Sequence, residues 1–260
     1  MTQFRALIVG CGRMGSGRDH RPKDLLYTHP QAYQALSERV TLVGFVDRVL
    51  ARAEWAAKEW GVSYFGDHIP AALRDLAPDI VSICTPPSDR REVVDDCNEA
   101  PSVAGIWCEK PYWLDTPPKA LTQVNFIRRF DARHIEIAER RTMEDEASLF
   151  VICANDIHTT CHFSDLARFW HIQPENLHYL PFHGPSLYIL REPGLIPGRY
   201  EGWRDTAFTG GGVSSGFMEA ALSNLLDAVE GKADLVSSAD NAIESEQWAQ
   251  RILYGGSNLR

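Results

Sequence analysis

The opening of the chain constrains it most. An apolar run at residues 4–9 breaks directly into Gly10-Cys-Gly12-Arg-Met-Gly15. An almost continuous apolar stretch ending at a glycine turn reads as a strand covered on both faces, and so as part of a parallel sheet. The alternation continues. Residues 40–46, 79–84 and 103–108 read as further strands, separated by amphipathic helical stretches at 31–37, 50–60, 70–76 and 90–99. Strand and helix in turn predict an α/β fold, a Rossmann-type doubly wound parallel sheet. Residues 121–127 are expected to close it.

The glycine string gains its meaning from that setting. Such a turn uses one glycine to bend, one to let backbone approach a pyrophosphate, and one to pack helix on strand. Gly10, Gly12 and Gly15 fill these places, with Arg13 and Met14 between them. Asp47, closing the second strand, is placed to accept hydrogen bonds from a ribose. A carboxylate there repels a 2′-phosphate, which favours NAD over NADP, while Arg48 beside it offers adenine stacking or a phosphate contact. Gly15 and Asp47 are 32 residues apart, against roughly 20 in the usual fingerprint. Residues 16–28 account for the excess. They read as an insertion in the first helix, either a solvated loop or a basic, aromatic flap.

The second half reads differently. Strands are expected at 134–138 and 149–154, a helix at 157–170, weaker strands at 177–182 and 187–190, and a loop-rich stretch at 193–212. Two helices, 216–230 and 239–254, end the chain. The division expected is 1–124 for dinucleotide binding and 125–260 for a smaller α+β domain. Net charge is −9 over 260 residues, which speaks against general nucleic-acid or anionic-membrane binding. No apolar run nears the ~20 residues of a membrane helix. Six cysteines without a CxxC read as reduced thiols, and the chain is expected to be cytoplasmic.

Two further motifs point to a family. Cys84-Thr85-Pro86-Pro87 and Cys108-Glu109-Lys110-Pro111 each follow a strand and resemble the "TPP" and "EKP" motifs of the Gfo/Idh/MocA oxidoreductases. Val124-Asn125-Phe-Ile-Arg128-Arg129-Phe is similar to a strand of that family, and His162-Phe-Ser-Asp165 to its HxxD helix. The chain resembles a shortened member. The resemblance implies a dinucleotide-binding domain followed by a domain with a mainly antiparallel sheet. It implies hydride exchange between nicotinamide and a sugar, nucleotide-sugar or polyol hydroxyl, with Lys110 and His162 near the reacting carbon. Thr85, Pro86, Pro87, Glu109 and Lys110 would then line the cofactor, and association as a homodimer is expected.

Removing hydride from an alcohol carbon requires a base for the hydroxyl proton, which suits His162; Lys110 would hold the oxygen. His158, His162 and Asp165 stand at i, i+4 and i+7 on one helix face. Asp165 is expected to orient His162 or touch substrate. The three have ligand types fit for zinc, but no metal is expected. Asn125, Arg128 and Arg129 read either as substrate ligands or as salt-bridging residues. Trp203, Arg204 and Gly210–Gly212 read as pocket lining or as a turn, and Trp55 and Trp60 as core. Beside the NAD(P)-dependent oxidoreductase reading stand two others: a redox-neutral enzyme with permanently bound NAD, and a non-catalytic dinucleotide-binding regulatory or partner protein.

Overall fold

A computed structural model describes residues 3–17, 28–142, 146–154, 156–182, 186–195, 201–209 and 216–254. It divides into two compact units, Met1–Ile127 with Ser215–Asp240, and Arg128–Ser214 with Asn241–Arg260.

The first unit is built on six parallel strands: β1 (Phe4–Val9), β2 (Val40–Val46), β3 (Tyr64–Gly66), β4 (Ile80–Ile83), β5 (Gly105–Cys108) and β6 (Leu121–Val124). Their order is β3-β2-β1-β4-β5-β6. Crossovers run through α1 (Arg13–Ser16), α2 (His29–Ala35), α3 (Leu50–Trp60), α4 (Ile69–Leu76) and α5 (Arg90–Glu99). β1, β4 and β5 are buried almost throughout, as strands covered on both faces must be.

Helix signals explain the split first helix. α1 stops at Gly17, which takes the left-handed C-cap conformation (φ 75°). α2 starts afresh at a capping box, Thr28 with Gln31, and carries proline in its first turn. Ser16, Gly17 and Thr28 thus frame the insertion; residues 18–27 lie outside the described residues.

Four readings of this unit are corrected. Strand β3 was not foreseen, being three residues long. β6 ends at Val124, and Ile127–Phe130 form a 3-10 turn. The division at residue 124 does not hold for the later chain: α8 (Phe217–Val229) belongs to the first unit, where it packs on α2, β5 and β6. Gly105 makes this possible, since a Cβ there would press within 3.0 Å of Val229. Nor is Trp55 core. It is 38% exposed, because α3 buries Ala53, Ala56 and Ala57 instead. Trp60 is half-buried, its indole N–H donating to the Ser16 carbonyl (2.8 Å).

The second unit holds a four-stranded sheet, β10-β9-β7-β8. Its strands are β7 (Ser148–Cys153), β8 (Leu177–Pro181), β9 (Leu187–Leu195) and β10 (Glu201–Thr209), with only the β7–β8 pair parallel. β7 alternates buried and half-buried residues, and its inner face joins α6 (Ala132–Glu139) and α7 (Ile157–Phe169) in one core around Phe163, Trp170 and Tyr188. The segment 134–138, expected as a strand, is part of α6. Asp131 caps that helix, and His134 and Ile137, three apart, turn inward; the alternating sequence fits both periods. The stretch 193–212, expected as loop, contributes to β9 and β10. Pro193 lies beyond the last β7 pairing at Arg191, where β9 has a neighbour on one side only and a missing N–H is tolerated. Trp203 and Arg204 fall within β10; Gly210–Gly212 lie outside the described residues. α9 (Ala239–Tyr254) ends the described chain.

Candidate active site

β1 and β4 are the neighbours at which the first sheet reverses its winding direction. Open parallel sheets hold ligands at the carboxyl ends of such strands. Here a cavity of about 690 Å³ opens there, walled by the glycine turn, Asp47, Thr85, Pro86 and Lys110.

The three glycines play separate parts. Gly10 has φ +94°, and a Cβ there would lie 2.7 Å from the backbone of Cys84 and Thr85. At Gly15 a Cβ would collide with the Gly10 carbonyl oxygen, so α1 can sit against β1 only if the residue is glycine. At Gly12 a Cβ would meet nothing within 4 Å. The space above Gly12 is thus open and takes no part in packing.

Asp47 holds the turn from the other side. One carboxylate oxygen accepts the Cys11 amide N–H (2.8 Å) and the other that of Val49 (2.9 Å). Arg48 is exposed and reaches Asp89 at 3.3 Å. Arg13 and Met14 line the same cavity, as do Pro87 and Glu109. The Thr85 hydroxyl is buried at the wall without a hydrogen-bond partner among the described residues. A buried hydroxyl left unmatched costs about 1–3 kcal/mol, so a ligand group that met it at this wall would be favoured.

Lys110 is half-buried, and its neighbours are tightly fixed. Glu109 accepts hydrogen bonds from His29 Nε2 (3.1 Å) and Asn125 Nδ2 (2.6 Å). Burial pushes the Glu109 carboxyl up, but the His29 hydrogen bond and charge, the Asn125 amide and the charge of Lys110 outweigh it and hold the group below the usual carboxylate range. Arg90, buried, donates through Nε and Nη2 to the Thr85 carbonyl (3.2 and 3.1 Å) and through Nη2 to that of Lys110 (3.4 Å). It thereby straps together the two loops that carry Thr85 and Lys110.

The remaining candidates are placed elsewhere. Asn125, read as a substrate ligand or a salt-bridging residue, is buried with its amide on Glu109. Arg128, Arg129, His158, His162 and Asp165 belong to the second unit, Lys110 to the first. Arg129 grips Asp165 from Nε and Nη2 (3.0 and 2.8 Å), and Ser245 donates to the same carboxylate (3.0 Å). Asp165, expected to orient His162 or contact substrate, thus has both oxygens engaged. Arg128 lies over the rings of Phe163 (5.1 Å) and Tyr188 (5.7 Å). His162 is half-buried and His158 exposed on α7. Among the described residues no three His, Cys, Asp or Glu side chains are grouped to hold a metal.

Sequence reasoning missed His29, Tyr33, Ser82 and Arg90. The one signal available was Glu109 itself, since a carboxylate within a buried run must find donors somewhere. The sequence does not tell where.

Comparison with known proteins bears on the unit that holds this cavity. Residues 4–129 match the profile of an oxidoreductase family with an NAD-binding Rossmann fold, Gfo/Idh/MocA. Over 150 residues the chain is 29% identical to scyllo-inositol 2-dehydrogenase (NAD(+)) of Bacillus subtilis (strain 168), a match covering 54% of this chain and 40% of that relative. The matched stretch thus spans less than half of that relative's length. The fold is similar to that of UDP-N-acetylglucosamine 3-dehydrogenase from Acidithiobacillus ferrooxidans, with TM-score 0.70, 16% identity, and 97% and 98% of the two chains covered. It is similar also to an oxidoreductase from Agrobacterium radiobacter, solved with NAD+, L-tartaric acid and magnesium, with TM-score 0.65, 12% identity, and 99% and 98% covered. The matched stretch, residues 4–129, carries the glycine turn, Thr85-Pro86-Pro87 and Glu109-Lys110-Pro111, and over it this chain is similar to the Gfo/Idh/MocA oxidoreductases with their NAD-binding Rossmann fold.

Proposed function

We propose that the chain is an NAD(P)-dependent oxidoreductase acting on a CH–OH group of a sugar-, nucleotide-sugar- or polyol-like substrate. One observation carries the reading: the glycine turn, Asp47 and Lys110 wall a single cavity at the switch point of the sheet. The inositol dehydrogenase relative supports the substrate class. Gly10, Gly12, Gly15, Asp47 and Thr85 would hold the dinucleotide, with NAD preferred; the bound nicotinamide would accept or return a hydride. Lys110 would hold the substrate oxygen and stabilise developing alkoxide, and His162 would take the hydroxyl proton. A cytoplasmic setting, in which thiols stay reduced, is proposed with it; five of the six cysteines are buried. In the second unit Leu180 is 60% and Phe182 51% exposed at the edge strand β8 and just beyond it, a surface suited to a second copy of this chain. Light scattering that finds only monomer at micromolar concentration removes the homodimer.

The test is stopped-flow nicotinamide absorbance over a panel of sugars, nucleotide sugars and polyols. Lys110→Met is expected to lower the rate at least ~10²-fold and to leave dinucleotide binding intact. His162→Ala should cost about as much, and the exposed His158→Ala less. If the cofactor binds and no panel member changes the absorbance, the non-catalytic dinucleotide-binding reading replaces this one.

A further inference from the structure

Behind the cavity wall runs a buried chain of polar groups that the proposed reaction does not use. His29, fully buried on α2, stands between Ser82 on β4 and Glu109 at the end of β5. Its Nδ1 lies 2.9 Å from Ser82 Oγ and its Nε2 3.1 Å from Glu109 Oε1. Tyr33, one turn further along α2, reaches the same Ser82 oxygen at 2.7 Å. The Trp107 ring packs on the imidazole, centroids 3.9 Å apart.

Donor and acceptor rules orient the chain. Glu109 already accepts from Asn125, and an ionised carboxylate only accepts, so His29 Nε2 must carry the proton that points at it. Ser82 Oγ lies within hydrogen-bond distance of both Nδ1 and the Tyr33 hydroxyl, so the series runs from Tyr33 through Ser82 and His29 to Glu109. Such an arrangement costs ordering and desolvation of five polar side chains in a core where apolar residues would pack as well. What it secures is one oriented negative charge at the cavity wall, next to Lys110 in sequence and lining the same cavity.

We propose that His29 is a positioning residue: through Nε2–H it fixes Glu109 as an oriented carboxylate that serves as the counter-charge of Lys110. The proposal rests on Lys110 belonging to the site described above, and it deepens that reading. The titratable and charged groups facing this pair are His29 and Tyr33 from α2, Cys84 after β4, Cys108 from β5 and Arg90 from α5. Burial, with Glu109 and Cys108 adding, pushes the Cys84 thiol well up, so it stays neutral; the charge balance at Lys110 is left to Glu109 and Arg90.

The test needs neither substrate nor cofactor. Lys110 acylation by a small anhydride is followed by mass spectrometry as a function of pH on the whole chain. A nearby carboxylate favours ammonium, so its loss frees the amine at lower pH. His29→Phe, which removes the donor and keeps a ring against Trp107, is expected to lower the pH of half-maximal reactivity by about one unit. Glu109→Gln, which removes the charge itself, should lower it further, the double variant no more than Glu109→Gln, and His29→Gln, which restores an N–H donor, should return it toward the unmodified chain. An unchanged midpoint in Glu109→Gln, or equal shifts in His29→Phe and His29→Gln, overturns the proposal. Should His29→Phe fail to fold, the Glu109→Gln midpoint decides alone. Failure here leaves the hydride-transfer reading standing, and a failed substrate panel leaves this titration standing.

Discussion

Buried carboxylates divide the two units. In the first, Asp47 is held by two backbone amides and Glu109 by an imidazole and an amide side chain, both at a cavity wall. In the second, Asp165 meets Arg129, Glu192 meets Arg140 and Arg141, and Asp131 meets Arg133. A carboxylate matched by a guanidinium is neutralised in place and acts as architecture. One held by amides keeps its charge and presents it to whatever fills the cavity. Buried acids are therefore a poor guide to chemistry until their partners are known.

The comparison breaks first at Arg129. If Arg129–Asp165 is architecture, Arg129→Ala should cost about 3–5 kcal/mol in denaturant unfolding, because it strands a buried charge. Replacing both partners by leucine should restore most of the loss, since a well-packed apolar pair avoids the desolvation altogether. A loss below about 1 kcal/mol in the single variant would put Asp165 back among the functional candidates.

The second unit should also carry a pH signature of its own. Burial, above all, pushes His134 down to about 4; Arg128 and Arg133 add to this and Asp131 opposes it. The unfolded chain protonates this histidine near ~6.5, whereas the folded chain keeps it neutral until about 4. As pH falls through that window the unfolded state binds the extra proton, and stability drops by up to about 3 kcal/mol. His134→Phe has no such proton to bind. The stability gap between it and the unmodified chain should therefore shift in favour of the variant between pH 6.5 and 4, as measured by urea titration. A gap that is constant with pH refutes the assignment.

In the first unit the corresponding break is at Gly12. Gly12→Val should weaken NAD binding by calorimetry ~100-fold, about 2.7 kcal/mol, with little change in melting temperature, since its Cβ meets nothing within 4 Å. Gly15→Val should instead destabilise the fold, through the collision with Gly10.

The same division explains how much the sequence disclosed. β1, β2, α3 and α5 run between the residues expected from periodicity and caps, because a strand covered on both faces and a helix with a polar side leave unambiguous patterns. The glycine turn and Asp47 were legible because backbone geometry demands those residue types at those places. The second unit was less so. In 134–138 the alternating pattern satisfies helix and strand alike, and the register of β9 with β10 depends on a partner strand rather than on local residues. The polar network fared worst of all. His29 and Glu109 are 80 residues apart, and nothing local marks a histidine as belonging to a particular glutamate.

Asp47 gives the finest test of the contrast, and the smallest effect. Its two oxygens fix Cys11 and Val49, so it has some structural part, and Asp47→Ala should weaken NAD binding by loosening the turn. Were that all, NADP would weaken in proportion and the ratio of the two affinities would stay fixed. If the carboxylate also projects charge into the cavity, its removal relieves repulsion of a 2′-phosphate and leaves the exposed Arg48 to meet it. The expected outcome is a fall of about tenfold in the preference for NAD, roughly 1.4 kcal/mol, read from paired calorimetric titrations. That effect should shrink at high salt, because Arg48 acts from the surface. A ratio that does not move would make Asp47 the counterpart of Asp165, a carboxylate spent on holding the chain together.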